Sequence, residues 1–172
     1  MDNQRLIPDT WFRAQAQSTT MSFITDRHDM AKRFAPLQEG ERQLGWFVLP
    51  PFQRPPVWTM TQQIRFIESC WMGLPIGSFV YNQTSDAYSR FDNWLLDGQQ
   101  RMTAVLDYIN DQFPVYTHFF SELTDIDHRK WSMSVSFPCM KTQCEDESEL
   151  REIYDRLAYG GTPHEPEQRA DT

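Results

Sequence analysis

The sequence predicts a compact α/β (α+β) domain, a small mixed sheet flanked by helices. Three observations point there. Short apolar runs bounded by proline, glycine and asparagine alternate with segments whose apolar residues recur at helical spacing. No internal repeat or low-complexity tract is present, which sets solenoid architectures aside. A chain of 172 residues buries roughly 70% of the surface its unfolded form exposes, enough for one core.

Taken in order, residues 1–43 are polar and mixed, with short apolar patches suited to small helices. They read as an N-terminal extension packed on a domain spanning 44–172. Trp46 to Leu49 forms a strand that Pro50 and Pro51 stop, because proline cannot donate to a sheet ladder. Pro55 and Pro56 hold the following segment extended, so Gln53 and Arg54 lie between two stiff clamps. Thr59 and Gln62 have capping-box spacing and open a helix with Met60, Ile64, Ile67 and Trp71 on its apolar side, ending near Gly73.

"LPIGSFVYN" turns at Pro75 and Gly77 into a strand that runs through Tyr81, and a polar loop follows to Asn93. Trp94 to Leu96 is the next strand. It passes through a tight turn at Gly98 into a helix from near Gln99, with Met102, Val105, Leu106 and Ile109 as its core side. "FPVYTHFF" and "WSMSVSF" read as two further strands. In the last segment Thr142 and Glu145 have capping-box spacing, Leu150, Ile153, Tyr154 and Leu157 form a core face, and Gly160 and Gly161 end the helix. Thr162, Pro163 and Glu165 then signal one more short helix.

Composition excludes several functions. The net charge of −8 is uneven: residues 1–101 hold ten Lys/Arg against ten Asp/Glu, and the remainder six against fourteen. Such a surface repels a phosphate backbone, so unaided binding to duplex DNA is not expected. Cys70, Cys139 and Cys144 lack metal-ligand spacing and read as free thiols. The four histidines, His28, His118, His128 and His164, are scattered and assemble no triad. With neither a basic start followed by an apolar stretch nor a run of ~20 apolar residues, a cytoplasmic location is expected.

The chemistry concentrates in "WLLDGQQRMTAVL", residues Trp94 to Leu106. A helix N-terminus presents unpaired N–H groups and the positive end of the helix dipole, and a glycine permits close approach to the backbone. Gln99 and Gln100 add amide donors, and Arg101 adds a planar fork suited to phosphate oxygens. The corner at 97–101 is thus expected to be an open, cation-rich socket for oxyanions. For Asp97 three roles stay open: holding Mg²⁺, activating water, or capping the helix. Neither a Walker-type Gly-Lys-Ser/Thr spacing nor a GxGxxG is present.

Four blocks, "LPPFQRPPVW", "GLPIGSFV", "LLDGQQRMTAV" and "IYDRLAYGGTPHEPEQ", resemble in their order the DGQQR-motif family, the N-terminal domain of GmrSD-type modification-dependent restriction endonucleases. The resemblance covers Gly45 to Arg169. It implies a ParB/sulfiredoxin-like fold whose phosphate-binding turn supports weak Mg²⁺-dependent hydrolysis of a nucleoside triphosphate, in the setting of DNA restriction or phage–host conflict. Carried over by position, the implied catalytic residues are Asp97, Gln100 and Arg101. The implied nucleotide contacts are Gln53, Arg54, Gly98, Gln99 and Arg101, with Asp97 on the metal.

The family's restriction enzymes add an HNH-like nuclease domain, so the resemblance implies a stand-alone single-domain member here. Ala158 stands in "RLAYGG" where many members carry asparagine. The implied partners are a nucleoside triphosphate and a protein partner or a second copy, with DNA met only weakly or through that partner and no membrane. Two other readings remain open: a non-catalytic interaction module, accessory or anti-defence, and a ParB-like nuclease.

Overall fold

Two apolar strands separated by a polar loop, followed at once by a helical apolar pattern, dictate an antiparallel pair that feeds a helix. The computed structural model, which describes residues 10–28 and 36–159, contains that unit at its centre. β4 (Phe79–Asn82) pairs antiparallel with β5 (Leu95–Asp97), and one glycine later α3 (Gln99–Ile109) begins. The other elements, in chain order, are β1 (Ala14–Gln17), α1 (Ser22–His28), β2 (Arg42–Leu44), β3 (Phe47–Leu49), α2 (Met60–Trp71), α4 (Asp125–Ser134), β6 (Cys139–Thr142) and α5 (Glu147–Tyr159).

The main sheet has strand order β1-β6-β4-β5 and is mixed, since β6 runs parallel to β4 while the other two pairings are antiparallel. β2 and β3 form a separate hairpin. It joins the β5 side through a bridge from Val48 to Trp94, with Val48 N–H donating to the Asn93 carbonyl at 2.9 Å.

Side chains alternate across a strand, and here the alternation separates two cores. Phe79, Tyr81 and Leu95 join Ile67, Cys70, Met102, Val105 and Trp131 beneath α2, α3 and α4. Val80, Trp94 and Leu96 meet Leu150 and Ile153 of α5. β4 is buried along its whole length, which explains why it reads as a continuous apolar run rather than an alternating one.

The predicted box at Thr59 is formed: its hydroxyl accepts from Gln62 N–H, and the Gln62 side chain accepts from Thr59 N–H at 2.8 Å. On that helix Met60 is exposed, while Ile67 and Cys70 carry the burial.

Three expectations are corrected. "WSMSVSF" is not a strand; Trp131 to Ser134 close α4, and the sheet strand comes later, as β6. Thr124 and Asp127 box the start of α4, and fully buried Trp131 anchors it against the Trp71 and Tyr108 rings, at 5.1 and 5.3 Å. "FPVYTHFF" forms a turn closed by mutual backbone bonds between Val115 and His118, then a short 3-10 turn at Phe120–Glu122. Thr142 does not cap α5; it lies in β6, and its hydroxyl donates to the Arg13 carbonyl at 3.3 Å. Asp146 supplies the cap, accepting from Ser148 and Glu149 N–H at 2.7 and 3.2 Å.

The N-terminal segment holds one of the expected small helices, α1, together with an unexpected edge strand, β1. Gly160, Gly161 and the helix expected after Thr162 lie outside the described residues, as does His164.

Candidate functional site

The turn between β5 and α3 is built on Gly98, whose φ of +97° belongs to the left-handed region. A Cβ there would meet the Phe79 Cβ at 2.6 Å. The glycine therefore lets α3 start directly against β4, and Phe79 is the group that approaches its backbone. No side chain caps α3, and the first helical bond is Met102 N–H to the Gly98 carbonyl at 2.8 Å. The first-turn N–H groups of Gln99, Gln100 and Arg101 are thus left without a side-chain cap, as the dipole argument requires for an anion site.

Arg101 is held from three sides. Its Nη2 donates to Asp97 Oδ2 at 2.8 Å, and its Nη1 donates to the Ile76 carbonyl at 3.2 Å. Gly77, at φ +75°, supplies the space: a Cβ there would lie 2.5 Å from Nη1. The second glycine of "GLPIGSFV" and the arginine of "DGQQR" are therefore parts of one contact.

The Arg101 side chain is 20% exposed and that of Asp97 is 45%. A pair this open contributes at most about 1 kcal/mol. Asp97 thus balances the charge of Arg101, and the socket is less cationic than the sequence suggests.

The proline-rich block is fastened to this corner by amides. Gln100 Oε1 accepts from the N–H groups of Val57 and Trp58, both at 3.0 Å, so its carbonyl is engaged in holding that segment against α3. Gln53 is buried, with Nε2 reaching the Leu95 carbonyl at 3.4 Å. Arg42 Nη2 donates to the Gln53 carbonyl at 2.6 Å and reaches that of Arg54 at 3.4 Å. Two proline pairs and these bonds set where Arg54 emerges.

All seven residues singled out from the sequence, Gln53, Arg54, Asp97, Gly98, Gln99, Gln100 and Arg101, line one cavity of about 300 Å³. Trp58 and Leu96 join them, and the end of α5 contributes Tyr154, Leu157 and Ala158. Phe52 holds that wall in place, with its ring 5.2 Å from Tyr154, 5.6 Å from Trp94 and 4.5 Å from the Arg151 guanidinium. Tyr154 and Leu157 read as a core face in the sequence. Their part in the cavity is signalled only by the "YDRLA" block, where three- and four-residue spacing places Tyr154, Leu157 and Ala158 on one helix face.

The arrangement brings the start of α3, the Arg54 and Arg101 side chains and the Trp58 and Tyr154 rings to one cavity. Among the described residues no group of three or more His, Cys, Asp or Glu side chains is placed to hold a metal ion. The partly exposed carboxylate of Asp97 at the cavity suits a cation that arrives with phosphate oxygens as its other ligands, which is how Mg²⁺ is commonly bound. Also among the described residues, no helix is long and apolar enough to cross a membrane.

A family model described as the GmrSD restriction endonuclease, N-terminal domain, matches residues 35–158. No curated protein and no solved structure matches the chain.

Proposed function

Because this chain belongs to the family of the GmrSD restriction endonuclease N-terminal domain, we propose that it is a nucleoside-triphosphate-binding domain with weak Mg²⁺-dependent hydrolytic activity, serving DNA restriction or phage–host conflict. One observation carries the reading: the uncapped start of α3, Arg54, Arg101 and Asp97 converge on a single cavity that has an aromatic and aliphatic far wall.

In this reading phosphate oxygens lie against the first-turn N–H groups of α3 and the guanidinium groups of Arg54 and Arg101. Preorganised donors of this kind favour charge that builds on a transferring phosphoryl group. Trp58 and Tyr154 face the base, and Gln100 positions Trp58 through its two backbone bonds. Bound Mg²⁺ would supply charge neutralisation on the phosphates, with Asp97 as its protein ligand. The acidic surface supports DNA being met through a partner rather than directly.

Titration calorimetry with each nucleoside triphosphate at millimolar concentration, with Mg²⁺, tests the reading. A saturable heat is expected. Because a charge-assisted contact is worth about 1.5–3 kcal/mol, Arg54→Gln or Arg101→Gln should weaken binding about tenfold or more. A wild-type protein that gives no heat with any triphosphate overturns the proposal.

A further inference from the structure

We infer that the Asp97–Arg101 ion pair is an exchangeable gate that makes this cavity select a polyphosphate already carrying a divalent cation over the same polyphosphate without one. The inference rests on the polyphosphate-binding reading above and concerns how that site discriminates.

The two partners are unequally fixed. Arg101 has its second nitrogen on the Ile76 carbonyl at 3.2 Å and its flank against Gly77, where even a Cβ would come within 2.5 Å of Nη1. Asp97 accepts from Arg101 at 2.8 Å and is more than twice as exposed. When the pair opens, the carboxylate is the member free to turn. In the closed pair the carboxylate stands beside the Arg101 donors at the cavity, so a bare polyphosphate meets a negative charge where it needs a positive one.

A polyphosphate carrying a divalent cation meets complementary charge on both partners: its oxygens take the guanidinium that Asp97 releases, and Asp97 takes the cation. One ion pair becomes two, with no unpaired charge left in the cavity. The cation alone lacks that compensation. It would have to take the carboxylate and leave Arg101 unpaired, with a single protein ligand of its own.

The test is calorimetry with inorganic pyrophosphate and with the β,γ-imido analogue of ATP, each in Mg²⁺ and in EDTA, and with Mg²⁺ alone. Wild-type protein should bind both ligands about tenfold or more tightly with Mg²⁺ than in EDTA, and should bind Mg²⁺ alone only weakly. Asp97→Asn keeps the side chain's shape and removes its charge. It should bind both ligands more tightly than wild type in EDTA and lose most of the gain from Mg²⁺.

Equal wild-type affinities in Mg²⁺ and EDTA overturn the gate while leaving polyphosphate binding intact, and this arm needs no variant. A full Mg²⁺ gain retained by folded Asp97→Asn also overturns it, as does tight binding of Mg²⁺ alone. Absence of binding under every condition removes the polyphosphate reading and the gate with it.

Discussion

At the scale of single residues, the site depends on two glycines whose reasons are steric. Gly77→Ala would place a methyl group 2.5 Å from Arg101 Nη1, and Gly98→Ala would place one 2.6 Å from the Phe79 Cβ, both at positive φ. Each strained backbone costs about 1–3 kcal/mol. Gly98→Ala is expected to be the more damaging, since its neighbour is a packed strand residue rather than the end of a flexible side chain. Denaturant unfolding should show both variants destabilised by about 1 kcal/mol or more, with Gly77→Ala also weakening nucleotide binding. Wild-type stability in both would refute this account of the corner.

Residue chemistry was legible where a single position carries a distinctive group. Asp97, Gly98 and Arg101 announce a turn with charge beside a glycine, and they meet at the cavity. The pairing of Arg101 with Gly77 was not legible, because residues 24 positions apart in the sequence become neighbours only when β4 and β5 pair. The same holds for Asn82, which is fully buried and bonds both the Cys144 N–H and the carbonyls of Phe91 and Cys144, tying the two loops above β4 together.

At the scale of elements, side-chain caps fix where α2, α4 and α5 begin. Asp127 accepts from the Thr124 hydroxyl and Asp146 from Ser148, and these bonds hold both carboxyl groups below the ordinary value of 3.8. A depressed folded pKa contributes stability that is complete above 3.8 and is lost as pH falls through the folded value. Asp107 has the opposite sign, because burial raises it, so it does not add to that loss. Hydrogen-exchange protection factors in the first turns of α4 and α5 should therefore fall on acidification below about 4. Asp146→Asn keeps a good cap without a titrating group, so α5 should lose that pH response while α4 retains it. An unchanged response of α5 in the variant would contradict the assignment of Asp146 as its cap.

Caps also explain which elements were readable. The box at Thr59 was visible because Gln follows three residues later and an apolar helical pattern continues from it. At Thr124 the acid in the third position is aspartate and the helix it opens buries only Trp131, leaving Ile126 and Met133 exposed, so the alternating pattern of "WSMSVSF" dominates and suggests a strand. At "FPVYTHFF" the β-branched and aromatic residues suggested a strand, but Tyr116 and Thr117 both adopt positive φ, at 49° and 70°, and reverse the chain instead. For a β-branched residue that conformation is uncommon, so nothing local announces it.

At the scale of the whole molecule, one mixed sheet separates two cores. Its β5 edge, the start of α3 and the end of α5 enclose the cavity between them. Mixed α/β architecture was legible from the alternation of short apolar runs and helical periods. The order β1-β6-β4-β5 was not, since long-range pairing between Ala14–Gln17 and Cys139–Thr142 leaves no signature in either segment. Net acidity is concentrated after residue 101, whereas the corner at 97–101 belongs to the charge-balanced part of the chain.

The central claim is that this corner receives a polyphosphate, and backbone amide NMR during titration with a triphosphate and Mg²⁺ tests it most directly. The account predicts saturable shifts at Gln99, Gln100 and Arg101 and at the Trp58 indole, with little change at Tyr116 and His118 on the distant turn. Unmoved resonances at 98–101 under saturating ligand, or shifts confined to other surfaces, would contradict it.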